Sequence, residues 1–538
     1  MPGKADVMCV LHCRFYQPHS FTMKLDSRFH FPARLPAWGC VLAAALALGA
    51  AQAAEPFRFH HENILGTSLD LQVSAADEKQ AAAVETAVLT EIERLRKILS
   101  SYDATSEISR LNQATAPMVC SQEVVDVLSA YDGWQAKSNG AYNGHLGALI
   151  DLWSKAGKQG ALPADAQLKD VVKTLPGSGW RIDPATRTVT RLSAPGTLNI
   201  NSLGKGYILT KAAVAARKAV PTMTGVLVNI GGDLFASGRS PAGTPWEVGV
   251  ADPKHSEDNA RPLTKVYLTD RAISTSAAYE RGYDLGGKHY SHILDPRTGM
   301  PAEGVASATV IANNNASANA MATTLCVLKP EEGLALVKAY PGAECLIIGA
   351  DGHEYRSDHF ASLEGASSGP VVTATPTAPT SSVSGSSWPN GYQVGIAIDL
   401  KQPEAGGKKI KRPFVAVWVD DSTGKRVRTV TVWGKERKYL PELRAWWTQA
   451  KANEAWAATV TRATRNAGHH RIEWDGKDDQ GHALPPGTYT ITLEINREHG
   501  TYAVQHGQIV CGSAPAKGTI GETDEAGETQ LTYGPGGQ

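Results

Sequence analysis

The chain has 538 residues, too many for one hydrophobic core, so two or three domains are expected. Its 53 Lys and Arg residues balance 53 Asp and Glu. That balance excludes nucleic acid, or an anionic membrane, as a partner held by bulk charge.

Residues 1–54 read as a secretory signal with an upstream extension. Lys24, Arg28 and Arg34 precede the apolar run Val41 to Leu48, and Ala51-Gln52-Ala53 supplies the small residues of a cleavage site. The run is too short for a conventional membrane span, so an exported, periplasmic protein is expected, associated with the inner membrane only through a partner or an uncleaved signal. Cys40 lies ahead of the apolar core, which argues against a lipoprotein site. Cys120, Cys326, Cys345 and Cys511 remain after cleavage without any CxxC spacing, so no zinc or iron–sulfur centre is implied.

Residues 55–362 alternate helical patterns with short β-branched strands, the signature of a mixed α/β (α+β) domain. Helices are predicted from Asp77 to Leu99, after a Ser106 cap, from Asn201 to Lys218, and from Ala316 to Leu328. Residues 363–389 are rich in Ser, Thr, Pro, Ala and Gly and read as a linker. Residues 390–515 change to alternating strands, such as Val394 to Leu400, Phe414 to Val419 and Thr488 to Ile495, as in a β-sandwich of immunoglobulin size. Residues 516–538 are acidic and Gly-rich, and a disordered tail is expected.

Four segments of the first domain can carry chemistry. Tyr290 to Pro301 holds His292 at a strand end before a turn marked by Asp295-Pro296 and Thr298-Gly299; a histidine fixed there can act as a general base. Val228 to Asp233 runs a strand into Gly231-Gly232, which allows close backbone approach to a ligand, although Gly-Gly-Asp is also an ordinary turn. Thr197 to Tyr207 resembles a phosphate-binding helix start with Lys205 as counter-charge, without the spacing of a Walker A loop. Asn319 and Thr323 stand four apart and share a helix face, either as metal ligands or as a polar stripe.

Taken in order, these segments resemble one family, the FAD:protein FMN transferases known as ApbE. The resemblance covers residues 55–362 and runs through Leu65-Gly-Thr67, Ser101-Tyr102, Ser106 to Asn112, Gly140 to Asn143, Leu152-Trp153, Asn199 to Tyr207, Asn229 to Asp233, Trp246, Asp252-Pro253, Ser274 to Ser276, Tyr279-Glu280, the histidine segment and Ala318 to Thr323. It implies a flavin-cradling α/β fold that uses FAD as substrate and Mg²⁺ as cofactor. FMN passes to a Ser or Thr hydroxyl of an acceptor protein, most simply a membrane-associated electron-transfer protein, and AMP is released. The metal positions fall on the Ser202 carbonyl and on Asn319 and Thr323. Flavin positions fall on Leu65, Tyr102, Ala141, Tyr142, Asn143, Asn199, Lys205, Ile293 and Leu294; Asp233 and Thr275 belong to the same pocket by their motifs. His292 matches the catalytic histidine, and Asp295 is expected to orient its ring or order the metal's outer shell.

The chain departs from the family pattern at Asn143, Asn199 and Asn319, where aspartate is usual, and at Leu65, where methionine is usual. An amide can give Mg²⁺ a carbonyl oxygen but brings no charge. The alternatives to transfer are an FAD pyrophosphatase yielding FMN and AMP, or a flavin-binding module without catalysis. The β-sandwich has turn motifs, Trp474-Asp-Gly476 and Leu484 to Tyr489, like those of bacterial immunoglobulin-like modules, and its tryptophans read as packing residues.

Overall fold

The computed structural model describes residues 55–365 and 388–537, apart from short stretches at 256–259, 261, 279–280, 403–410, 435, 454–455, 458–459 and 499. The signal and most of the linker therefore lie outside the described residues, as does the Tyr279-Glu280 motif.

The first domain is built on an eight-stranded sheet whose strands follow one another in chain order. They are β1 (Phe57–Ile64), β2 (Thr67–Ser74), β3 (Gly225–Ile230), β4 (Asp233–Gly238), β5 (Arg271–Ala277), β6 (Val305–Ala312), β7 (Glu344–Gly349) and β8 (Glu354–Arg356). Every neighbouring pair is antiparallel, which makes the domain α+β rather than a doubly wound α/β fold. Long insertions between consecutive strands supply the helices.

Three helices lie on one face. The first, α1 (Glu78–Leu99), buries Ala81, Val84, Val88, Ile92, Leu95 and Leu99 at helical spacing, and the Asp77 carboxylate caps it by accepting from Gln80 N at 2.8 Å. It packs with α2 (Asn201–Ala219) and α3 (Asn315–Val327) on Leu69, Leu71, Val73, Val226, Val228, Ile230, Ala308 and Val310. The opposite face, with Leu227, Ile273, Ile311 and Leu346, is covered by a hairpin carrying Trp246, Val248, Val266 and Leu268 and by Phe360. Burial on both faces fits the small and apolar residues that make up most of β3 and β6. Ser106 caps its short helix by accepting from Ser109 N at 3.1 Å, as its sequence position predicts.

The C-terminal domain is a pair of antiparallel sheets. One has the order β12 (Gly468–Trp474), β9 (Tyr392–Leu400), β16 (Thr529–Pro535), β15 (Ala516–Ile520). The other contains β11 (Arg426–Trp433), β10 (Phe414–Asp420), β13 (Gly487–Asn496) and β14 (Tyr502–Cys511), with residues 461–462 adding a short parallel strand beside β11. Alternate residues Val394, Ile396, Ile398, Val415, Val417, Ile491 and Leu493 fill the space between the sheets. Trp418, Trp433, Trp446 and Trp474 are all buried, in keeping with packing roles. The four cysteines of the described residues are buried free thiols.

The expected disordered tail is corrected here. Ala516–Ile520 and Thr529–Pro535 form β15 and β16, and β16 pairs with β9 from Tyr392↔Pro535 to Ala397↔Gln530. The sandwich is complete only with them. The strands were hidden because only every second residue, such as Leu531 and Tyr533, faces the core, so glycines and acids dominate the average composition. Leu531→Ala is therefore expected to destabilise the C-terminal domain by about 2–5 kcal/mol in chemical denaturation, whereas a disordered tail would give no change.

Candidate functional site

The site is assembled where α2 and α3 cross. A Cβ on Gly206 would lie 2.6 Å from the Asn315 carbonyl oxygen and 2.9 Å from Ala316 Cα, so a glycine is required for α3 to start this close to α2. The start of α3 is pinned from below: Asn315 Nδ2 donates to Leu234 O at 2.9 Å and Ile273 O at 3.3 Å, and Asn315 N donates to Thr210 Oγ1 at 3.1 Å. One helical turn later stands Asn319.

Opposite it, Gly231 and Gly232 take φ of +54° and +89° to reverse the chain from β3 into β4, and the turn ends on Asp233. The Asp233 carboxylate is buried. Lys205 Nζ, from the first turns of α2, lies 2.6 Å from Asp233 Oδ2, and also donates to Gly231 O at 3.3 Å. Asn319 Nδ2 donates to the same Oδ2 at 3.2 Å. A carboxylate only accepts, so the amide nitrogen must face it and the amide oxygen must face away. That oxygen, Asn319 Oδ1, is buried and has no hydrogen-bond partner. One turn on, Thr323 Oγ1 lies 3.3 Å from Ser276 Oγ at the end of β5. Among the described residues no group of three or more His, Cys, Asp or Glu is placed to hold a metal. Apart from Asp233, whose charge is matched by Lys205, the side-chain oxygens of Asn319, Thr323 and Ser276 are neutral, a donor set that suits a hard cation.

A second set of contacts fixes the start of α2. The rings of Tyr131 and Tyr142 stack at 5.1 Å, and their hydroxyls lie 3.2 and 2.7 Å from Ser202 Oγ. Burial pushes both phenols above their ordinary range, so both remain protonated. The Ser202 hydroxyl is thus engaged within the protein, and only its carbonyl is left for the role the resemblance gives it. Tyr131 was not singled out from the sequence because it falls on the apolar stripe of its helix, and only its bond to Ser202 distinguishes it.

The remaining positions divide into surface, backbone and brace. Tyr102 is 87% exposed, and its hydroxyl accepts from Asn201 Nδ2 at 3.4 Å. Leu65 has a left-handed backbone, φ +50°, beside Gly66, and its side chain packs on the core. Ala141, Ile293 and Leu294 are buried. Thr275 Oγ1 meets Thr309 Oγ1 across β5 and β6 at 2.8 Å, and Asn199 Oδ1 accepts from Asn201 N at 3.4 Å. The Asn143 side chain is buried and bonded at both ends, donating to Leu175 O at 2.9 Å and accepting from His145 N at 2.8 Å. These bonds brace a loop. An amide can make both bonds at once; an ionised carboxylate there could not donate to Leu175.

His292 follows the hairpin of Gly282–Leu285 and Lys288–Ser291. Its ring Nδ1 lies 3.0 Å from Arg281 O, and its backbone N donates to that same oxygen. The carbonyl accepts only, so the proton sits on Nδ1 and the lone pair on Nε2. Burial lowers the pKa of His292 below the ordinary imidazole value, with the charge of Arg281 acting in the same direction. Asp295 does not orient this ring, one of the two roles expected of it. Its two oxygens take the Arg297 guanidinium at 2.9 and 2.8 Å, closing the turn that Gly299 N completes on Asp295 O. The aspartate three residues on serves its own turn, and the backbone of Arg281, distant in sequence, does the orienting. Pro296 and Arg297 also line a cavity of about 640 Å³ together with Asp132, Gln135, Gly140 and Leu175.

Residues 65–347 match the model of the ApbE family, and residues 395–531 match a family described as a predicted periplasmic protein, DUF2271. An FAD:protein FMN transferase of Treponema pallidum is 30% identical over 310 residues, covering 54% of this chain and 84% of that protein. Its counterpart in Escherichia coli is 28% identical over 333 residues, covering 59% and 93%. The crystal structure of the ApbE protein from Thermotoga maritima superposes with a TM-score of 0.52 at 27% identity, over 58% of this chain and 99% of that one. With more than half its length matched by the family model, and the α2–α3 corner formed by the residues the motifs place there, the chain belongs to the ApbE family.

Proposed function

We propose that this protein transfers FMN from FAD to a Ser or Thr hydroxyl of an exported acceptor protein, releasing AMP. The observation that carries the reading is Asn319 Oδ1, a buried oxygen without a hydrogen-bond partner, turned away from the Asp233 carboxylate that its own amide nitrogen binds. Asn319 Oδ1, Thr323 Oγ1 and the Ser202 carbonyl would hold Mg²⁺, which when bound supplies neutralisation of the diphosphate oxygens. Lys205 adds a mobile positive charge to the same group, once a phosphate competes with Asp233 for it.

In the transfer, the acceptor hydroxyl oxygen bonds to the phosphorus of the FMN half. The bond from that phosphorus to the bridging oxygen breaks, and AMP leaves with the bridging oxygen and its electron pair. The hydroxyl proton passes to His292 Nε2, the nitrogen left basic by the Nδ1 bond to Arg281. Two observations support a periplasmic acceptor: the signal-like N-terminus and the periplasmic description of the C-terminal match. No helix among the described residues is long and apolar enough to cross a membrane.

The test is incubation with FAD, Mg²⁺ and a candidate acceptor, read as flavin fluorescence on the denatured acceptor together with AMP release. His292→Ala should keep FAD affinity while transfer falls about a hundredfold or more; transfer at the wild-type rate would put the base elsewhere. The pH profile follows from the lowered pKa. A base acts when neutral, and a depressed pKa keeps it neutral to lower pH, so the acid limb of transfer should have its midpoint below the ordinary value of about 6.5. A midpoint above 7 contradicts this assignment.

A further inference from the structure

The C-terminal domain touches the catalytic domain on the strand that leads into the Leu65 turn. Glu62, near the end of edge strand β1, accepts from Thr464 N at 2.9 Å through Oε1. Its own backbone N donates to Glu436 Oε1 at 3.4 Å, and Arg412 Nη1 lies 3.6 Å from its Oε2. Thr464, Glu436 and Arg412 all belong to the C-terminal domain. From the catalytic side, His60 reaches Glu62 Oε1 at 3.0 Å with Nε2 and Asp70 Oδ1 at 2.7 Å with Nδ1, its side chain 4% exposed. Burial opposes ionisation of Glu62, yet its bonds with His60 and Thr464 carry the pKa below the ordinary carboxylate value, so the junction holds a charge.

From Glu62 the chain is connected step by step to the site. Immediately after it the ladder shifts register, and Asn63, Leu65 and Gly66 take φ of +61°, +50° and +81°. Two non-glycine residues in the left-handed region persist only where neighbours over-determine the backbone. Thr67, next in the chain, packs against Gly231, where a Cβ would meet it at 2.6 Å. Gly231 N donates to Ser68 O at 3.1 Å, and Gly231 O accepts from Lys205. The turn that ends on Asp233 therefore leans on the β1–β2 turn, which is anchored at Glu62.

We infer that the C-terminal domain is a built-in support for the flavin site: docked on Glu62, it holds the Asn63–Gly66 turn, and through Thr67 and Gly231 it fixes the seat of Lys205. An edge strand requires cover in any case. Cover alone, however, does not require a largely buried carboxylate shared by both domains immediately before a left-handed turn. The inference rests on the proposed flavin reading for what the turn supports.

The test uses the full chain and FAD titration followed by flavin fluorescence, on Glu62→Ala, Glu62→Gln and Arg412→Ala. The first should weaken FAD binding about tenfold, and the second by less, because the amide keeps an acceptor for Thr464 N. Arg412→Ala, which alters only the C-terminal domain, should weaken FAD in the same direction, and it decides the matter if Glu62→Ala does not fold. Wild-type FAD affinity in Arg412→Ala and Glu62→Gln overturns the inference. A wild-type chain that binds no FAD would instead sink the flavin reading, so the two failures are distinguished.

Discussion

Asp233 presents a buried carboxylate where an unpaired charge would be destabilising by several kcal/mol, and the site is organised around satisfying it. Lys205 comes from α2, Asn319 from α3, and Asp233 itself from the turn between β3 and β4. Three separate elements are thus tied at one oxygen atom. The close approach at Gly206 and the reversed turn at Gly231-Gly232 are the backbone conditions for that meeting. Without them the lysine and the amide would face solvent as independent groups.

The same interaction gives a physical account of one departure from the family pattern. An aspartate at position 319 would set two carboxylates at about the 3.2 Å separation seen here, a repulsion that only protonation or a bound cation relieves. Asparagine turns that repulsion into a hydrogen bond and aims its oxygen at the remaining space. The corner then carries one negative and one positive charge before any ligand arrives. Asn143 makes a parallel case, because its amide bridges two backbone groups that a carboxylate could not serve together. These replacements are locally consistent, each fitted to its own partners.

Much of this was legible in the sequence. Helix α1, the Ser106 cap, the Gly-Gly-Asp turn, the Lys205 helix and the strand end at His292 all follow from spacing and turn chemistry. What was not legible depends on tertiary partners. The backbone of Arg281 clamps His292, whereas Asp295, nearer in sequence, is taken by Arg297. Tyr131 looked like one more core aromatic until Ser202 met it. Strands β15 and β16 alternate too sparsely for composition to reveal them, although β16 lies between β9 and β15. The meeting of two domains at Glu62 has no local signature at all.

The proposed transfer depends on Lys205 as a charge that a diphosphate can recruit from Asp233, and one binding measurement addresses it directly. FAD titrated into Lys205→Ala and wild-type protein, with Mg²⁺ present, should differ by about tenfold or more, as the loss of a charge-assisted hydrogen bond of about 1.5–3 kcal/mol requires. Equal affinity in the two proteins would mean that the Lys205–Asp233 pair only braces the fold, and that the flavin's phosphates are held elsewhere.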